Sequence, residues 1–131
     1  MGFTVIDPSA VPNLHESLGL PGEYRPLTAA LRAEQLATAF VRVPPRTDFE
    51  RGVGHRHDEL EEVYLIVAGT LTMKLGDHVL QLEAPRAVRV APETVRGHRN
   101  DGDAEVVMVV VSRRLDRDDA TKVPGFWDPG R

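Results

Sequence analysis

Between Leu36 and Val43 the residues fall into two alternating sets. Ala37, Ala39, Val41 and Val43 lie on one side, and Leu36, Thr38, Phe40 and Arg42 on the other. Alternation of this kind predicts a strand, because successive side chains on a strand point to opposite faces. The strand is expected over about 35–43, where Pro44-Pro45 stops it. The preceding segment, 27–34, is rich in Ala and Leu and reads as a turn or short helix. From Glu62 onward the pattern stays extended. Val63–Val67 is β-branched and aromatic, and Gly69 turns the chain. Leu71, Met73 and Leu75 then alternate with Thr70, Thr72 and Lys74. Gly76-Asp77 is a turn pair, so 70–82 reads as a hairpin. Ala87–Ala91 is a short strand ended by Pro92, and Glu105–Ser112 is a long apolar one that follows the turn Asn100–Asp103. Six to eight short strands at regular turn spacing predict a barrel or sandwich. Residues 1–26 are punctuated by Pro and Gly and read as loop.

Composition narrows the classes. At 131 residues, with 41% hydrophobic and 27% charged positions, the chain suits one globular domain with its own core. The longest apolar run, Val106–Val111, is far short of the roughly 18 residues a membrane-spanning helix requires. Met1–Ala10 has neither a basic start nor an apolar stretch, so no secretory signal is expected. No cysteine is present, which removes disulfides, thiolate metal sites and cysteine nucleophiles and fits a cytoplasmic protein. A net charge of −4 with 5% aromatics argues against a nucleic-acid partner.

Candidate chemistry is concentrated in His55-Arg56-His57-Asp58-Glu59-Leu60-Glu61-Glu62. Histidines at i and i+2 share a face on a strand, whereas on a helix they would diverge by about 200°. An extended segment would therefore present both imidazoles together, and imidazole suits Zn, Fe, Ni and Cu. A carboxylate would complete a mixed N/O site, but His57 and Glu62 would be about 16 Å apart if the chain ran straight. The backbone must bend within Asp58–Leu60 to return Glu61 or Glu62 to the histidines.

This context resembles the cupin family. Its first motif, G-x5-H-x-H-x(3,4)-E-x6-G, is matched from His55 onward by His55, His57, Glu62 and Gly69; the register selects Glu62 over Glu61. The upstream glycine position holds Phe49. The second motif, G-x5-P-x-G-x2-H-x3-N, is degraded. Pro92 and Asn100 are recognisable, but the histidine slot falls on Gly97 or on Arg96, depending on which anchor is counted from. His98 is displaced by one or two positions and shares strand parity with Arg96.

The resemblance implies an all-β, single-domain, double-stranded β-helix (jelly-roll barrel) over residues 34–112. An N-terminal extension, 1–33, would pack on it, with a C-terminal tail at 113–131. It also implies a divalent metal ion (Fe, Mn, Zn or Ni) held by His55, His57 and Glu62, with His98 as a candidate further ligand. Without His98 the set is a 2-His-1-carboxylate triad with open positions. Arg96 and Tyr64 are candidate substrate-binding residues, Arg96 for an anion. The expected function is binding or conversion of a small anionic organic molecule, by dioxygenase, isomerase or decarboxylase chemistry. The alternative is a non-catalytic, metal-free binding or sensor protein using Arg96, which could instead pair directly with Glu62. A homodimer is expected. Phe126 and Trp127 in the tail are expected to cover an apolar patch or a partner, or to act as a lid. His78 is expected in an exposed turn, and His15 has no partner nearby in sequence.

Overall fold

A computed structural model describes residues 2–128. Ten strands occur among the described residues. They are β1 (Glu23–Pro26), β2 (Leu36–Val43), β3 (Gly54–His57), β4 (Glu62–Ala68), β5 (Thr70–Leu75), β6 (His78–Glu83), β7 (Arg86–Val90), β8 (Arg96–Arg99), β9 (Val106–Arg113) and β10 (Ala120–Val123). Two short helices, α1 (Leu14–Leu18) and α2 (Thr28–Leu31), precede β2. The strands form two five-stranded sheets, ordered β1-β2-β9-β4-β7 and β10-β3-β8-β5-β6. All pairings are antiparallel, giving a jelly-roll barrel.

The alternation seen in the sequence sets the core. Ala39, Val41 and Val43 of β2 point inward with Tyr64 and Ile66 of β4, and Val106 and Met108 of β9 join them from the same sheet. Leu71 and Met73 of β5 meet them from the opposite sheet. Full burial of each large aliphatic side chain contributes about 1.5–3 kcal/mol, so this inner set outweighs local propensity along each strand. The β5–β6 hairpin turns at Gly76-Asp77 as expected, with Leu75 opposite His78; His78 is exposed as expected but opens β6 instead of lying in the turn. Gly69, at φ +77°, turns β4 into β5 against the chain before β9. A Cβ there would lie 2.4 Å from the Glu105 carbonyl oxygen, so the motif's last glycine answers a steric demand.

Ten strands exceed the six to eight expected, because two segments read as loop or solvated tail contribute strands. Strand β1 pairs with β2, and β10 pairs with β3. Both are four residues long and too short to show a period. They form because an existing sheet edge offers unpaired backbone groups.

Beyond β10 the chain folds onto the outer wall of the second sheet. Gly54 admits no side chain there: a Cβ would sit 2.5 Å from Phe126 Cδ2. The Lys74 ammonium donates to the Phe126 carbonyl at 2.6 Å and lies 4.5 Å from the Phe126 ring centre. The Arg99 guanidinium stacks 4.2 Å from the Trp127 ring. Phe126 and Trp127 therefore cover a patch of their own barrel. Asn100, recognised in the degraded second motif, has a structural place: its buried amide donates to Val43 O and Ala104 O and accepts from Gly102 N–H.

Candidate metal centre

Strand β3 turns both His55 and His57 into the barrel, with ring centres 5.1 Å apart. The chain then bends through residues 58–61 and crosses to the first sheet at Glu62, the first residue of β4. What holds the bend is Asp119, immediately before β10. Its Oδ2 accepts from the backbone N–H groups of Glu59 at 2.8 Å and Leu60 at 3.1 Å. Its Oδ1 accepts from His57 Nδ1–H at 2.6 Å. Burial by itself would raise the Asp119 carboxyl. Donation from Glu59, His57 and Leu60 more than offsets that, holding it well below the usual carboxylate range. An ionised carboxylate only accepts, so His57 donates from Nδ1, and in the neutral ring the lone pair of Nε2 then faces inward.

That lone pair meets another acceptor. His57 Nε2 is buried without a hydrogen bond, 3.3 Å from Glu62 Oε1. His55 Nε2 is 3.7 Å from the same oxygen, beyond hydrogen-bond range. Two such groups facing each other in a buried site leave a place that a proton or a metal cation could fill. The candidate ligand atoms of His55, His57 and Glu62 all lie within 4.8 Å of one another, which fits donors placed about 2 Å from a common ion. Burial opposes ionisation of Glu62. The histidines, the Arg96 charge and the Tyr64 hydroxyl act the other way and bring its carboxyl below the ordinary value.

The other candidates are placed as follows. Arg96 faces His55 across the β3–β8 pair, so of the two positions the degraded motif allows, Arg96 and not Gly97 shares the inward face with His55. Its guanidinium is fully buried. Nη1 donates to Pro92 O at 3.0 Å and Thr94 O at 2.8 Å, Nε lies 3.4 Å from Glu62 Oε1, and Nη2 has no partner. Tyr64 is also buried, and its hydroxyl donates to Glu62 Oε1 at 2.9 Å. Arg96 and Tyr64 thus both address the Glu62 carboxylate. His98 points inward from β8 but does not join the His55–His57–Glu62 group. Its Nε2–H donates to Glu50 Oε1 at 2.7 Å, and its ring packs edge-on against Phe49. Burial would depress the His98 imidazole, but the Glu50 carboxylate beside it raises it overall. His15 finds partners through the fold. It is buried, donates from Nδ1 to Pro21 O at 2.8 Å and packs on Phe49.

Two hollows reach the centre. One, of about 140 Å³, has Glu62 on its wall beside Tyr24, Ala37, Ala39 and Val110. The other, of about 360 Å³, brings Glu50 and His55 onto one surface with Phe49 and Lys122. Sequence reasoning missed Asp119 and Glu50. Asp119 sits in a charged stretch that reads as solvent-facing, and its one local signal is the pair of β-branched residues, Thr121 and Val123, that follows. Glu50 has no local signal.

Comparison with known proteins adds the following. The family described as Cupin domain matches residues 39–112. An H2HPP isomerase from Bacillus subtilis is 36% identical over 72 residues, 54% of this chain; the match spans 29% of that protein's length. Two crystal structures share the fold. A sugar phosphate isomerase from a cupin superfamily, from Silicibacter pomeroyi, has a TM-score of 0.74 at 16% identity, covering 92% of this chain and 82% of that one. A cupin protein from Bacteroides fragilis has a TM-score of 0.66 at 16% identity, covering 88% and 87%. No helix among the described residues is long and apolar enough to cross a membrane.

Proposed function

The chain belongs to the cupin family, and from that footing we propose that it binds a divalent metal ion through His55, His57 and Glu62 and isomerises a small anionic organic molecule. The observation that carries this reading is the buried, unpaired Nε2 of His57 aimed at Glu62 Oε1 from 3.3 Å. When bound, the ion would act as a Lewis acid at its open positions. The residues around it have separate tasks. Arg96 and Tyr64 hold the Glu62 carboxylate in place. Buried Arg96 also leaves the metal-loaded centre net positive against Glu62 and Asp119, which favours an anion. The hollows at the centre, about 140 Å³ at Glu62 and about 360 Å³ at His55 and Glu50, suit a small organic molecule. Glu50 and its partner His98 can accept a proton and return it, the operation that an isomerisation needs. The partial likeness to an isomerase supports this class over oxygen chemistry.

The test is elemental analysis of untagged protein beside His57→Ala. Near-stoichiometric metal in the native protein, lost in the variant, supports the reading. A well-folded native protein free of metal favours the second reading, a metal-free anion-binding protein. That reading draws on the Arg96 Nε–Glu62 contact at 3.4 Å, which already neutralises the carboxylate.

We further propose a homodimer, formed through the outer face of the first sheet. Val63 and Leu65 are about 40% exposed there. Register places them beside Val111 and Val109, with Phe40 and Thr38 next in the row. The rim carries both signs of charge, Arg89 with Glu61 and Arg42 with Glu105. A two-fold interface needs such a self-complementary rim.

A further inference from the structure

We propose that Asp119 is a positioning residue of the centre. It sets the tautomer of His57 and locks the bend that delivers Glu62, so the site is completed by a segment lying beyond the matched residues 39–112. The proposal rests on the reading of His55, His57 and Glu62 as metal ligands.

The chemistry is a matter of donors and acceptors. Asp119 is 3% exposed and separated from His57 by 62 positions in sequence. Pairing of β10 with β3 sets Ala120 opposite His57 and brings the carboxylate to the histidine. The backbone adds a further tie, Asp58 N–H to Asp119 O at 3.2 Å. Three N–H groups converge on the side chain, those of His57 Nδ1, Glu59 and Leu60. Only a carboxylate offers acceptors on both oxygens to satisfy them. With Nδ1 as the donor, the neutral ring leaves Nε2 as a lone pair facing Glu62. A histidine ligand of a metal gains orientation and basicity from such a carboxylate. One side chain thus governs both halves of the site: the ring that precedes the bend and the acid that follows it.

Asp119→Asn separates this role from a merely structural one. The amide has one accepting oxygen. The two backbone N–H groups cannot tautomerise and would claim it, turning the NH₂ toward His57 Nδ1. The imidazole then has to move its proton to Nε2, where it blocks metal binding. In mildly alkaline solution, ¹⁵N NMR of metal-free native protein is expected to show His57 in the Nδ1–H form. The Asn variant is expected to show the Nε2–H form. Calorimetric titration with Zn²⁺ is expected to give a Kd weaker by about 10–100-fold in the variant.

An Nε2–H tautomer in native protein would overturn the proposal, as would unchanged Zn²⁺ affinity in a folded variant. If the variant does not fold, the tautomer of the native protein still decides. If native protein shows the Nδ1–H tautomer yet takes up no Zn²⁺, the metal reading fails while the control of His57 by Asp119 stands.

Discussion

The Tyr64 hydroxyl donates to Glu62 Oε1 at 2.9 Å from two places further along the same strand. The strand's own period of two sets this contact, since both side chains face inward. Tyr64→Phe removes the donor without changing the packing, leaving the carboxylate with one fewer buried partner. Stability is expected to fall by about 1.5–3 kcal/mol, the range for hydrogen bonds to charged groups. Urea unfolding of metal-free protein measures this, and a change below about 0.5 kcal/mol would contradict the assignment.

Arg96 stands opposite His55, where the resemblance expects the fourth ligand, a third histidine. Arg96→His replaces a positive charge beside the ion with a neutral donor. Zn²⁺ affinity is expected to rise at least about tenfold, equivalent to 1.4 kcal/mol. Unchanged or weaker binding in a folded variant would mean that position 96 does not face the ion.

The His98–Glu50 pair gives stability a pH dependence. Burial lowers the imidazole and Glu50 raises it by more, so the folded value lies above the ordinary 6.5. Below the ordinary value both folded and unfolded chains hold the proton, and the pair's contribution is fully present. As pH rises through the folded value the proton is lost and the contribution goes with it. Unfolding midpoints recorded in chelator across this range should decline with rising pH in native protein. They should decline less in His98→Gln, and equal slopes would refute the coupling.

Leu65 lies between Ala87 and Val109 on the outer face of the first sheet. Leu65→Arg places a like charge at the centre of the proposed two-fold interface, where it meets its own copy. Analytical ultracentrifugation at micromolar concentration is expected to find a dimer in native protein and a monomer in the variant. A native monomer, or a variant that remains dimeric, would remove this face from consideration.

Strands β2, β4, β5, β6, β7 and β9 were legible from alternation, apolar runs and turn residues; in β2 burial on one face leaves a period of two, as in Ala39, Val41 and Val43. The pairing of His55 with His57 was legible for the same reason, and the need for a bend before Glu62 followed from chain length alone. The two edge strands were not legible: Glu23–Pro26 and Ala120–Val123 are shorter than any period can reveal, and each forms on an edge that the rest of the barrel supplies.

By itself, then, the sequence determined which residues face inward and which imidazoles travel together, since those follow from neighbours two positions apart. Tertiary structure alone decided their partners. Asp119 reaches His57 across 62 positions and Glu50 reaches the His98 backbone across 48. The assignment of position 96 over 97 came from strand register across the sheet. A buried acceptor is selected by whichever donors the closed barrel brings within 3 Å, and no local pattern encodes that meeting.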